Sequence, residues 1–230
     1  MIKPRLTLFD LDHTLLSGDS DVLWCDFLIA QGLLDATSFA AKNADMAARY
    51  QAGSVDMQAF ADFYVGTLAG RTPLQWEPLR QVFLRDYIAP KLPQEARDLV
   101  LRHKAAGDLV VLTTATNRFI TELTAALLQI DHLIATEPEL VNGIFTGYTT
   151  GTLNMRGGKV VRLTQWLANR AASDQAPGAQ RGDYFVTAYS DSINDQPLLE
   201  MADHAVAVDP DAPLTRLAFE NKWDLIKLNR

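Results

Sequence analysis

Cysteine is almost missing from this chain: Cys25 stands alone. A lone cysteine precludes an internal disulfide and any multi-cysteine metal site. Set in LWCDFL, its thiol reads as inert core. Runs of basic residues are missing too, with a formal net charge of −7 and a pI near 5.0. No cationic stretch is there to release counterions, which argues against a nucleic acid as the main partner. No apolar stretch approaches a membrane span, and the run in MIKPRLTLFD meets charge too soon for a signal peptide, so a cytoplasmic protein without a membrane partner is expected. What remains is 230 residues with 48% apolar content, enough to bury a core as one large domain or as a domain carrying an inserted module. The composition leaves the oligomeric state open.

The stretch LTLFDLDHTLL, residues 6–16, organises the rest. Residues 6–9 have the length and apolarity of a buried strand, and two aspartates one residue apart, Asp10 and Asp12, close it. At the carboxyl end of a parallel strand, alternation sends both carboxylates to one side, where open α/β sheets bind ligands. Such a pair repels itself unless a cation sits beside it or one member keeps its proton, which points to a hard divalent metal with a nucleophilic or acid–base role. A turn with two solvated aspartates is the plain alternative.

After this stretch, Asp19, Ser20 and Asp21 are candidate N-caps for a helix over residues 22–30. Helical spacing continues over residues 39–50 and 57–68, and a third segment opens at Thr72-Pro73-Leu74-Gln75 with a capping-box pattern and an early proline. So long a helical block between strands exceeds an ordinary crossover and reads as an inserted helical cap over residues 17–92, with residues 1–16 and 93–230 forming the core. Pro90 and Pro93 mark the return hinge. The core then alternates: helix 94–106, strand 109–113, helix 118–128, strand 132–136, a Gly/Thr-rich hairpin over 140–152, helix 159–170, a surface loop AASDQAPGAQRG, strand 184–189, helix 194–201, strand 204–208, helix 213–221 and a terminal strand over 225–228. That order predicts an α/β fold, a doubly wound and mostly parallel sheet.

DLDHT is not the only motif. Thr114 follows the strand LVVLT, Lys159 lies in RGGKVVRL, and YSDSINDQPLLE carries Asp191, Asn194 and Asp195 behind another strand. In this order, the four resemble the signature of the haloacid dehalogenase-like superfamily of aspartate-nucleophile phosphohydrolases. With the helical block directly after the first motif, the chain is similar to its phosphoserine-phosphatase-like branch (subfamily IB, cap type C1), including bacterial hydrolases with FDLDHTLL and YSDS-x-ND.

The resemblance implies a Rossmann-like core and a Mg²⁺-dependent phosphomonoesterase acting on a small phosphorylated metabolite, such as phosphoserine or histidinol phosphate. It implies Asp10 as the nucleophile forming an aspartyl phosphate, Asp12 as acid and base, and Mg²⁺ held by Asp10, Asp191 and the Asp12 carbonyl, with Asp195 holding a metal-bound water. Phosphoryl transfer asks chiefly for positioning and charge neutralisation. Lys159 at a helix start opposes the helix dipole, so it lacks a local structural motive but has one as a cation for Asp10 and the phosphoryl group. Thr114 would donate to a phosphate oxygen, with Thr113 as the competing alignment and an N-cap as the plain alternative. Thr14 braces the motif loop, Asn194 or Asp195 could cap a helix, and His13 reads as a loop residue. Ser190 stands where many relatives carry glycine.

For the leaving group, Asp19 falls where phosphoserine phosphatases place a cap glutamate that meets the substrate amine, although a simple cap serves equally. Arg49, Arg71, Arg80 and Arg85 stay open as readers of a substrate carboxylate, and Asn117 and Arg118 are further candidates with a helix-cap alternative. Trp24, Trp76 and Trp166 read as packing. The alternatives in activity are a phosphotransferase or mutase using the same aspartyl phosphate, and a non-catalytic binding protein on the same fold.

Overall fold

The computed structural model describes residues 3–52, 54–172 and 180–228. Its centre is β1 (Arg5–Phe9), flanked by β2 (Leu109–Asn117) and β5 (Phe185–Ser190), both parallel to it. Beyond β2 lie β3 (His132–Val141) and β4 (Ile144–Thr150); beyond β5 lie β6 (His204–Val208) and β7 (Asp224–Ile226). The order is β4-β3-β2-β1-β5-β6-β7, and every pairing is parallel except β3 with β4. This is the mostly parallel sheet expected.

Alternation along β1 divides the interior in two. Leu6 and Leu8 join Val111, Val186 and Ala188 on one face, while Phe9 joins Leu112, Tyr189 and Val206 on the other. Phe9 pairs in register with Leu112 on β2 and Tyr189 on β5, so the next residue, Asp10, leaves the sheet beside the ends of both neighbours. The Asp10 amide donates to the Tyr189 carbonyl at 3.0 Å, extending the ladder by one bond.

Helices α1 (Ser20–Ala30), α2 (Ala36–Gln51), α3 (Met57–Val65) and α4 (Pro73–Phe83) fill the sequence between β1 and α5 (Gln94–Ala105), with short 3₁₀ and π turns. Asp19 caps α1, its Oδ1 accepting from the Val22 amide at 3.0 Å. The Thr72–Gln75 capping box forms in both directions, at 3.2 and 2.8 Å. Trp24, Phe27, Trp76 and Phe83 pack together edge-on or tilted, while Cys25, Phe60 and Tyr64 meet Met155 in a separate apolar cluster. Cys25 is fully buried, and burial pushes its thiol pKa upward, as befits an inert core residue.

Several boundaries differ from the sequence reading. Strand β2 continues through Thr114 to Asn117, with its register against β3 shifting between those two residues. The helix after it, α6 (Arg118–Leu127), begins where expected. Strand β3 runs to Val141 and turns back at Asn142-Gly143, whose φ values of 50° and 78° suit a tight hairpin, so this excursion begins inside β3. The segment expected as one helix over 194–201 splits into a 3₁₀ turn, Ile193–Asp195, and α8 (Gln196–Glu200). Pro197, near the start of α8, has no amide to continue an earlier turn. The predicted loop AASDQAPGAQRG lies partly outside the described residues. The remaining helices are α7 (Gly157–Ala172), before β5, and α9 (Ala212–Asn221), after β6.

The start of α7 is sterically tight. A Cβ on Gly158 would fall 2.0 Å from the Leu153 carbonyl oxygen, whereas one on Gly157 would meet nothing within 4 Å. Gly158→Ala should therefore cost about 2 kcal/mol of overpacking strain in urea denaturation. Gly157→Ala should stay within about 0.5 kcal/mol of the parent.

Candidate active site

The carboxyl ends of β1, β2 and β5 and the start of α1 converge on one cavity of about 260 Å³, and the start of α7 contacts two of its acids. Asp10 leaves β1 into it, with Oδ1 2.7 Å from the Lys159 Nζ. The same Nζ lies 2.6 Å from Asp195 Oδ2, so one ammonium sits between two carboxylates. Lys159, on the first turn of α7, is 1% exposed. Burial alone would lower its pKa, but the ion pairs with Asp10 and Asp195 outweigh burial and hold it above its usual value. The motive that its helix position lacked is thus supplied by tertiary contacts.

Thr14 spans two carboxylates, its hydroxyl 3.1 Å from Asp10 Oδ2 and 2.9 Å from Asp191 Oδ1. It therefore braces the loop against β5, as expected. Asp195 stands at the N-cap position of α8 but makes no side-chain cap bond. Its Oδ2 takes Lys159 and the Ser190 hydroxyl, the latter at 2.8 Å, while its buried Oδ1 has no protein partner. Ser190, the departure from glycine, is thus engaged. Asn194 joins elements instead of lining the cavity, donating to the Tyr50 carbonyl at 3.0 Å and accepting from Arg156 Nε at 3.1 Å.

Asp12 faces the helical segment. Its Oδ1 accepts from the Ser20 amide at 2.7 Å, and its Oδ2 from Thr116 at 2.9 Å and, more distantly, from Thr114 at 3.4 Å. Between the competing threonines, Thr114 is the one turned toward Asp12, while Thr113 Oγ1 accepts from Asn154 at 3.0 Å. Thr116 was missed in the sequence. Period-two alternation from Thr114 was the available signal.

The acids crowd one another. Burial raises Asp10 to about 7, against the pull of Lys159 and with added repulsion from Asp195 and Asp12. Burial and Asp19 raise Asp12 to about 6, opposed by hydrogen bonds from Ser20 and Thr116. Asp191 is pushed well above the ordinary carboxylate range by burial and then by Asp10, with Thr14 opposing. Among the described residues no three His, Cys, Asp or Glu side chains form a ready metal cluster. The donor set is instead two carboxylates sharing a threonine, with an orphaned Asp195 oxygen close by. That suits Mg²⁺, which binds one or two carboxylates and keeps several waters.

The remaining candidates separate. Asp19 lines the cavity and also caps α1; His13 lines it with a left-handed φ of 55°. Asn117 and Arg118 do not line it: Asn117 caps α6 at Ile120, and the Arg118 guanidinium grips Glu137 at 2.9 Å. Trp24 and Trp76 are buried packing, and Trp166 packs on His132. Tyr50 and Phe60, unremarked in the sequence, stand in the cavity wall. No helix among the described residues is long and apolar enough to cross a membrane.

With this geometry in view, the likeness to known proteins is informative. Residues 7–200 match the family model described as haloacid dehalogenase-like hydrolase. A histidinol-phosphatase of Neisseria meningitidis is 38% identical over 223 residues, covering 96% of this chain and 98% of that protein. A crystal structure from Bordetella pertussis, described as a protein with unknown function, superposes with a TM-score of 0.89 at 42% identity, covering 97% of this chain and 98% of that one. A substrate-bound phosphoserine phosphatase shares the fold, with a TM-score of 0.66 at 16% identity, covering 100% of this chain and 95% of that one. The ion-paired Lys159, the carboxylates at the ends of β1 and β5 and these matches agree: the chain belongs to the haloacid dehalogenase-like hydrolases.

Proposed function

We propose that this chain is a Mg²⁺-dependent phosphomonoesterase that hydrolyses a small phosphorylated metabolite, resembling histidinol phosphate or phosphoserine, through an aspartyl phosphate on Asp10. The observation that carries this reading is the Lys159 ammonium held at 2.7 and 2.6 Å between Asp10 and Asp195, with Asp191 tied to Asp10 through Thr14. A buried cation there orients the nucleophile and faces the charge that builds on the phosphoryl oxygens.

In this reading a carboxylate oxygen of Asp10 attacks phosphorus as the ester P–O bond breaks, and the departing alkoxide takes the proton of the Asp12 carboxyl. Water then attacks the aspartyl phosphate, Asp12 takes a proton from that water, and the bond between Asp10 and phosphorus breaks to release inorganic phosphate. Asp12 fits both steps because burial brings its pKa to about 6, near the working range of an acid that must also serve as a base. Asp10, Asp191 and the Asp12 carbonyl would hold Mg²⁺, which when bound would supply charge neutralisation and Lewis acidity at the phosphoryl group. Asp195 Oδ1, left without a protein partner, suits a metal-held water. Thr114 and Thr116 keep the Asp12 carboxyl directed at the leaving group. Residues 17–92 form the cap and residues 1–16 with 93–230 the catalytic core.

Asp10→Asn should lower kcat at least about a thousandfold, or ~4 kcal/mol in barrier height, with unchanged circular dichroism. Chelator should abolish turnover of the parent and Mg²⁺ restore it, with inorganic phosphate as product even when an acceptor alcohol is added.

A stability measurement checks the charge crowding separately. The folded-state values of about 7 for Asp10 and about 6 for Asp12 lie above the ordinary 3.8, so between those limits the folded chain binds more protons than the unfolded one. This contribution to stability therefore falls as pH rises through that window. In chelator, the urea midpoint should be lower at pH 8 than at pH 5, and the drop should be smaller in Asp10→Asn.

A further inference from the structure

The lining of the cavity has an unusual charge balance. Asp19 and Asp21 enter it from the start of α1, Asp209 and Asp211 from the loop after β6, and Tyr50 and Phe60 form an aromatic wall with their rings stacked at 4.7 Å. Among the described residues that line the cavity, none is lysine or arginine. The four arginines that the sequence left open as carboxylate readers are engaged elsewhere. Arg49 pairs with Asp45 at 3.6 Å, Arg71 lies over Trp76, Arg80 holds the Phe119 carbonyl and Glu122, and Arg85 pairs with Asp86. Lys159 is already held between Asp10 and Asp195. A carboxylate on a substrate would thus meet like charge and no lysine or arginine among the described lining residues.

The acids differ in what they have left to offer. Asp211 caps α9 at Leu214 and accepts from Ile193 N, Asp209 accepts from Leu228 N, and Asp19 accepts from Val22 N. Asp21 is different. It is 3% exposed, its Oδ2 accepts from Thr116 at 3.1 Å, and its buried Oδ1 has no partner at all. A buried acceptor without a donor is costly, and a ligand donor beside it removes the cost.

We infer that the part of the cavity beside Asp21 is a cation subsite in which Asp21, with the Tyr50–Phe60 wall, selects the phosphate ester of an amino alcohol that carries a protonated amine and no carboxylate. The inference rests on the phosphomonoesterase reading and narrows it. A cation satisfies the orphaned carboxyl oxygen, and the aromatic faces attract it further or stack a flat ring attached to it. Burial, with Asp19 and Asp12 nearby, holds Asp21 well above the ordinary carboxylate range in the absence of a cation, so an ammonium ion is also what would let this acid ionise.

The test is a comparison of kcat/KM with Mg²⁺ for five esters that vary amine and carboxylate independently: histidinol phosphate and phosphoethanolamine (amine alone), phosphoserine (both), 3-phosphoglycerate (carboxylate alone) and phenyl phosphate (neither). Both amine-only esters should exceed phenyl phosphate at least about tenfold, and phosphoserine should fall about a hundredfold or more below histidinol phosphate, as expected of a site whose polar groups are left unpaired by the wrong ligand. In Asp21→Asn, the ratio of phosphoethanolamine to phenyl phosphate should drop about tenfold, mostly through KM. Phosphoserine matching histidinol phosphate, 3-phosphoglycerate exceeding phenyl phosphate, or an unchanged ratio in folded Asp21→Asn would overturn the subsite. Turnover of none of the esters would sink the phosphatase reading instead. Calorimetry of the free alcohols would then still decide the subsite: histidinol binding more tightly than serine upholds it, and equal or absent binding of the two overturns it.

Discussion

The ammonium of Lys159, out of contact with water between Asp10 and Asp195, is the interaction on which the rest of the site depends. Without it two buried carboxylates would face each other across a space too dry to screen them, and removing one partner of such an arrangement is far more damaging than its net contribution suggests. Three distant segments must meet to form it: the end of β1, the first turn of α7 and the turn after β5. Each is placed by backbone features that have no chemistry of their own. The ladder bond from Asp10 to Tyr189 sets the first, the close approach of Gly158 to Leu153 the second, and the hydroxyl of Ser190 the third.

Asp12 belongs to a different environment although it is two residues away. Asp10 faces the Lys159 ammonium, whereas Asp12 faces α1 and the end of β2, where the Ser20 amide and two threonine hydroxyls meet it. One carboxyl is thus neutralised by charge and the other by neutral donors. That difference is the physical basis for giving them different roles, since environment sorts acids into nucleophile and proton carrier. The same α1 contributes Asp21, so the element that bonds the Asp12 carboxyl also lines the cavity.

Where the sequence could be read, it was read through periodicity and local chemistry. The apolar run at residues 6–9, the Thr72–Gln75 box and the polar-capped start of α1 each carry their information in a few neighbouring residues, and those elements appear where expected, within a residue or two. The extension of β2 to Asn117 was not legible, because a strand's end depends on whether β3 continues beside it. Thr116 went unnoticed for a related reason: a threonine beyond a motif becomes significant only when the strand carries it on to Asp12. Asn117 and Arg118 show the reverse case. Their polar side chains next to a motif suggested contact with substrate, but one is used by a helix end and the other by Glu137.

Taken alone, the amino-acid order determined the α/β alternation, the helical insertion after the first strand and the identity of the acidic residues at strand ends, because strand period, helix caps and prolines act over a few residues. Tertiary structure decided which of those charges became neighbours and which were consumed elsewhere. Arg49, Arg71, Arg80 and Arg85 look alike in sequence, and the folded chain engages all four outside the cavity lining while Asp21 becomes part of it. The physical reason is that a site pairing such as Lys159 with Asp10 joins residues 149 positions apart at 2.7 Å, and charge separated so far along the chain has no fixed distance until the sheet assembles.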